Sequence, residues 1–167
     1  MNSITGLWLR LTELLDRAGN WLPALMIRLL LGYEYFESGL MKYRGENWFG
    51  QIKDQFPFPF DVIPTDISWF LATWSELVGA VMIIFGLFTR FWAFSLIILT
   101  IVATAAVHWP DSYSSLGELL KGYAITNKGF GNYKLPVMYL VLFLPLLFSG
   151  PGKISVDHFL WRRYSGT

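Results

Sequence analysis

The run from Leu22 to Tyr43 holds a conflict that limits what this chain can fold into. Its length suits one bilayer crossing, because about 20 helical residues rising ~1.5 Å each span the hydrocarbon core. Yet its central stretch RLLLGYEYFESGLMK carries Arg28, Glu34, Glu37 and Lys42. An Arg, Lys or Asp at mid-helix costs about 2.5–3.5 kcal/mol to insert, while a Leu, Ile or Phe returns only about 0.3–0.6. Leu22, Leu25, Ile27, Leu29, Leu30, Leu31, Phe36 and Leu40 cannot offset Arg28 and two glutamates that all face lipid. The charged groups must therefore be paired, protonated or turned toward a protein-lined interior. Ionisable groups kept in such a place point to a functional site.

Composition supports a membrane setting. Of 167 residues, 54% are apolar, and the mean hydropathy of +0.43 exceeds that of an ordinary soluble domain. The length suits a single domain, 1–167. Thirteen Lys+Arg against twelve Asp+Glu leave a net charge of +1, which offers no footprint for nucleic acid. Fourteen Phe, eight Trp and eight Tyr suit many interfacial rings. The chain has no cysteine, which excludes thiol chemistry, cysteine-ligated zinc and iron–sulfur clusters. The N-terminal MNSITGLWLRLTELL lacks a basic segment followed by an apolar core and a small-residue cleavage site, so no cleaved signal peptide is expected.

In chain order, residues 3–20 predict an amphipathic interfacial helix, with Ile4, Leu7, Trp8, Leu11, Leu14, Leu15 and Ala18 on one face. The first crossing is 22–43. Along it Arg28, Gly32, Tyr35, Gly39 and Lys42 step by 4,3,4,3 into one stripe, whose glycines permit close approach of a neighbour. Glu37 points roughly opposite Arg28, with Glu34 between them, and Lys42 is near enough to an end to snorkel. Residues 44–66 are rich in Phe, Pro and Trp and read as a loop over the mouth of the helices or among headgroups. The second crossing, 67–88, carries the stripe Ala72, Glu76, Gly79, Ile83, Gly86 and ends in a turn at Thr89–Arg90. The third, 90–108, has the polar line Thr100, Thr104, His108. A second long loop follows, with a short surface helix at 115–121. The fourth crossing, 133–149, is short and contains Pro145. Residues 155–164, capped by Ser155, read as another interfacial segment. The expected fold class is an all-α integral membrane four-transmembrane-helix bundle with amphipathic surface helices at both termini. Basic residues divide evenly between the two sides, but those on the termini side sit closer to the helix ends. The termini are therefore expected in the cytoplasm.

No nucleophile–His–Asp set, HExxH, P-loop or dinucleotide fingerprint occurs, so the sequence shows no catalytic motif. The leading candidate is Arg28 with Glu76: either a structural ion pair, or a site in which Arg28 holds an anionic or quinone-like head group and Glu76 orients it or takes a proton. Glu34 and Glu37 have no second arginine nearby and suit proton transfer or a wet vestibule. His108 can carry protons or bind a metal. Met26, Met41, Met82 and Met138 read mainly as packing, though with His108 some would suit Cu(I). The buried polar site is expected to comprise Arg28, Glu34, Glu37, Glu76, Thr104 and His108, with Gly32, Gly39, Gly79 and Gly86 as helix-packing positions.

Three ordered pieces carry a family resemblance: Arg28-x3-Gly32-x6-Gly39-x2-Lys42, Glu76-x2-Gly79-x6-Gly86-x2-Thr89-Arg90, and GPGKISVDH at 150–158. Together they resemble the DoxX family of small four-helix membrane proteins. The loop GELLKGYAITNKGFGNYKLP is similar to its HvfX-type branch. The resemblance implies a bacterial inner-membrane protein that acts as a partner in metal (copper-binding peptide) or redox-stress homeostasis. The alternative it implies is a quinone-linked oxidoreductase subunit of the thiosulfate:quinone type. Lipids and a membrane, peptide or protein partner are implied; with no cofactor motif, a redox role requires a bound quinone or copper, or a partner that carries the cofactor.

Overall fold

A computed structural model describes residues 3–165, with side chains from Thr5 to Tyr164. The side chain of Ile4, counted above on the apolar face of the first helix, lies outside the described residues. The helices are α1 (Ser3–Gly19), α2 (Leu22–Arg44), α3 (Thr65–Phe85), α4 (Thr89–Ala103), α5 (Leu116–Lys121), α6 (Lys134–Phe148) and α7 (Val156–Ser165). A 3-10 turn spans Phe49–Gln55, and α4 runs on through a π turn, Thr104–His108. No strand occurs among the described residues.

Helix α2 packs most extensively on α3, α3 on α4, α4 on α6, and α6 returns to α2. Between them lies a core of Leu31, Tyr35, Ala80, Ile83, Leu96 and Phe143. Helix α3 and the α4–π segment are each long and apolar enough to cross a membrane, and only 28% of each apolar window is buried. The core helix of a soluble protein would be mostly covered; these leave Phe70, Trp74, Phe85, Phe94 and Ile101 bare. Helix α2 has 23 residues, enough for a crossing of about 35 Å, with its stripe of Arg28, Gly32, Tyr35 and Gly39 buried.

Glycine sets the α2–α3 spacing. A Cβ on Gly39 would lie 2.9 Å from Leu77 Cγ and 3.0 Å from the Leu77 nitrogen, and one on Gly32 would collide with Ile84. Helix α3 begins two residues before the expected position and stops at Phe85, because Gly86 turns left-handed at φ +68°. The turn is therefore Gly86–Phe88 rather than Thr89–Arg90. Thr89 opens α4 instead, and the Asp157 carboxylate caps it, accepting from Phe88 N at 2.8 Å and Thr89 N at 2.9 Å. Arg90 donates to the Phe148 carbonyl at the end of α6.

The 44–66 loop covers the start of α3 and the end of α4. Phe49 and Phe56 are buried with Ala106 against Trp69, Ala72 and Val102. Ser115 caps α5 by accepting from Glu118 N, and Glu118 accepts from Ser114 N at 2.8 Å. That backbone hydrogen bond holds the Glu118 carboxyl below its ordinary pKa. Ser155 caps α7 by accepting from His158 N. On α1 the faces of Leu7, Trp8, Leu11, Leu14 and Leu15 are uncovered.

Candidate functional site

The structure separates the two residues expected to pair. Helices α2 and α3 run antiparallel, with Gly39 against Glu76–Leu77 and Gly32 against Ala80 and Ile84. In that register Arg28 falls opposite the end of α3. Its guanidinium donates to the Ile84 and Ile154 carbonyls, where a side chain on Gly86 would strike it. Arg28 is 1% exposed, and Asp157 lies close enough to act on it. It fastens α2 to the end of α3 and to the 150–158 segment. It lines neither the cleft that Glu76 borders nor the one that Lys42 borders.

Glu76, 3% exposed, pairs with Lys42 instead. Lys42 Nζ lies 2.9 and 2.8 Å from the two carboxylate oxygens and 2.9 Å from Ser38 Oγ, and Ser38 donates to Glu76 at 3.2 Å. Arg28 and Lys42 are 14 residues apart, about 21 Å along the helix, so one glutamate cannot serve both. The four-carbon stem of Lys42 bends inward rather than snorkelling outward.

Glu76 borders an inner cleft of about 200 Å³, lined by Glu34, Tyr35 and Ser38 of α2, Leu99, Thr100 and Ala103 of α4, His108 of the π turn, and Leu135, Pro136 and Tyr139 of α6. Glu34 accepts from the Tyr139 hydroxyl at 2.7 Å. The Tyr35 hydroxyl is hydrogen-bonded to Thr100 Oγ1, which donates onward to the Leu96 carbonyl. His108 Nδ1 is 2.9 Å from Asn132 Oδ1. On the far side of the ion pair, Lys42 borders an outer cleft of about 330 Å³ with Asn47, Asp66, Trp69 and Thr73.

Of the residues expected in one buried site, the structure brings Glu34, Glu76 and His108 together around the inner cleft. Arg28 stands apart. Glu37 is exposed on the outer face of α2. Thr104 is buried but spent on the Thr100 carbonyl at 2.6 Å. Lys42, Ser38, Tyr139 and Asn132 join the site although none was expected there. The first two were findable, since Ser38 and Lys42 sit four apart and the glycine contacts fix the register that brings them to Glu76.

The cleft does not assemble a copper site. Cu(I) calls for soft thioether donors. Met26, Met41 and Met138 are exposed, and no methionine lines the cleft. Among the described residues no group of three or more His, Asp or Glu is disposed to hold a metal ion. The partner of His108 is an amide oxygen. A quinone head beside Arg28 does not fit either, because the guanidinium is buried against the Ile84 and Ile154 carbonyls and borders neither cleft.

Apolar helices with bare outer faces and polar groups gathered between them define a helical, membrane-associated protein with an internal polar cleft. The chain belongs to the DoxX family, whose pattern matches residues 24–109. It is also similar to an uncharacterized protein of Haemophilus influenzae, with 44% identity over 146 residues, covering 87% of this chain and 88% of that protein. No solved structure matches the chain.

Proposed function

We propose that this protein crosses the bacterial inner (cytoplasmic) membrane four times, through α2, α3, α4 and α6, as one helical bundle with both termini in the cytoplasm. Helices α1 and α7 lie along the membrane surface, their exposed Leu, Trp and Phe among lipids and their arginines at the headgroups. Helix α6, at 15 residues, is the short crossing and thins the bilayer locally or extends through its flanks.

Within that bundle the protein acts as a non-enzymatic partner in metal or redox-stress homeostasis, receiving a group of a peptide or protein partner in the inner cleft. One observation carries this reading: Glu34, Glu76 and His108, from three different elements, border a single cavity rather than lying scattered. The mode of action is recognition: the cleft holds its polar groups in fixed hydrogen bonds, Tyr139 to Glu34 and Ser38 and Lys42 to Glu76. A HvfX-type role alongside a copper-binding peptide fits this reading, with the metal carried by the peptide.

The test is complementation of a deletion strain grown under copper or oxidant stress. Wild-type chain is expected to restore growth, and Glu34→Gln and Glu76→Gln to fail while reaching the membrane at normal levels. Full rescue by both variants would overturn the reading. The alternative, a quinone-linked oxidoreductase subunit, predicts saturable quenching of tryptophan fluorescence by a short-chain quinone in purified protein, lost in Tyr139→Phe.

A further inference from the structure

The hydrogen-bond inventory of the inner cleft is lopsided. Its side-chain donors are spent within the protein. The Tyr139 hydroxyl goes to Glu34, Ser38 and Lys42 go to Glu76, and Thr100 goes to the Leu96 carbonyl. With the Thr100 proton so committed, the Tyr35 hydroxyl is the donor in its bond to Thr100. Asn132 donates its amide to the Ile125 carbonyl at 3.3 Å, which turns its oxygen toward His108 and places the imidazole proton on Nδ1. With the proton on Nδ1, Nε2 of His108 is left as a lone-pair acceptor. Glu34 keeps one carboxylate oxygen, and both tyrosine oxygens keep lone pairs.

Charge leans the same way. Lys42 is engaged with Glu76, and no lysine or arginine lines the cleft beside Glu34; Glu37 is exposed on the outer face of α2. The remaining walls are apolar: Leu99, Ala103, Leu135 and Pro136. A ligand that satisfies such a cavity donates hydrogen bonds, carries positive charge and has a short greasy stem.

We infer that the inner cleft is a binding site for a primary alkylammonium group, with its head on Glu34 and His108 and its stem along Leu99, Ala103 and Leu135. This inference rests on the reading of the inner cleft as the recognition site and adds the chemistry of what enters. The group has two sources, a free small amine or the side chain of a lysine in a partner peptide. Asn132 is a positioning residue that acts through His108.

The test uses full-length protein in a neutral detergent and isothermal titration with n-propylammonium chloride, against n-propanol as the neutral isostere. Propylammonium is expected to bind one site, and propanol at least about tenfold more weakly. Glu34→Gln is expected to weaken the amine by at least about tenfold while leaving the melting temperature near native. Asn132→Leu is expected to weaken it too, and to move the ¹⁵N resonances of His108 toward the other tautomer. A blocked lysine amide that competes with propylammonium assigns the peptide source; one that is excluded assigns the free amine. Equal binding of amine and alcohol, or amine binding unchanged in Glu34→Gln, would overturn the ammonium assignment and leave the cleft as a recognition site for neutral groups. Failure of both probes to bind folded protein would overturn the ammonium assignment as well. Full complementation by both Glu34→Gln and Glu76→Gln would separately overturn the recognition reading itself.

Discussion

Removing the Lys42 ammonium is the sharpest perturbation of the buried polar layer. At 2.8 Å and an effective dielectric near 20, the gross attraction in the pair is about 6 kcal/mol. Withdrawing each ion from water costs several kcal/mol, so the net contribution of the intact pair is small. Breaking it is different. Lys42→Met leaves Glu76, 3% exposed, with Ser38 at 3.2 Å as its remaining side-chain donor. Stranding a charge in that way costs about 3–5 kcal/mol. The reverse change, Glu76→Leu, is milder, at about 1–2 kcal/mol. Lys42 retains Ser38, and its 17% exposed side chain can turn into the outer cleft. The double variant Lys42→Met/Glu76→Leu removes both ions and is expected within about 1 kcal/mol of wild type. Unfolding in mixed detergent micelles, followed by tryptophan fluorescence, completes the cycle. A coupling below about 0.5 kcal/mol would show that the two groups do not meet, and would refute the reasoning.

Other consequences are independent of that pair. Gly39→Ala is expected to destabilise the protein by forcing α2 off the Leu77 backbone, whereas Gly6→Ala, with open space around its Cβ, is expected to be neutral or stabilising by up to about 1 kcal/mol. Comparative melting of the two variants checks the contrast. Asp157→Ala removes the cap of α4 and is expected to cost about 1–2 kcal/mol and to loosen α7, read as faster proteolysis near residue 156. The lowered pKa of Glu118 means that its contribution is present above the ordinary carboxylate range and lost as pH falls through the folded value. Exchange protection of the Ser114 amide should decline over that acidic window and be absent in Glu118→Ala. Because the chain lacks cysteine, single cysteines at Ser149 and Asn127 report topology without background. A membrane-impermeant maleimide added outside intact spheroplasts is expected to label Asn127→Cys and spare Ser149→Cys.

The helices were legible because their signals are local. Apolar length, glycine spacing and the cap at Ser155 place the helices within a few residues. The inward stripe was legible too, since Arg28, Gly32, Tyr35 and Gly39 share one face and are all buried. What failed was the choice of partners, which depends on how far one helix slides along another. Two charges near the middle of adjacent spans look like a pair until register is fixed. The contacts of Gly32 and Gly39 fix it so that Arg28 meets Gly86 and Lys42 meets Glu76. The end of α3 was misplaced because Gly86, expected only as a packing position, turns left-handed at φ +68° and stops the helix at Phe85. Asn132 joined the site through a loop whose course is set by Gly131 packing beneath the His108 carbonyl, a contact remote from any periodic signal.

Ionisable groups of α2 and α3 meet inside an apolar shell. A dipolar-recoupling solid-state NMR measurement between Lys42 ¹⁵Nζ and Glu76 ¹³Cδ, in lipid bilayers, reads this directly. The structure predicts strong dephasing from an ammonium 2.8 Å from a carboxylate oxygen. An undephased Lys42 signal in bilayers, with the protein folded, would contradict it.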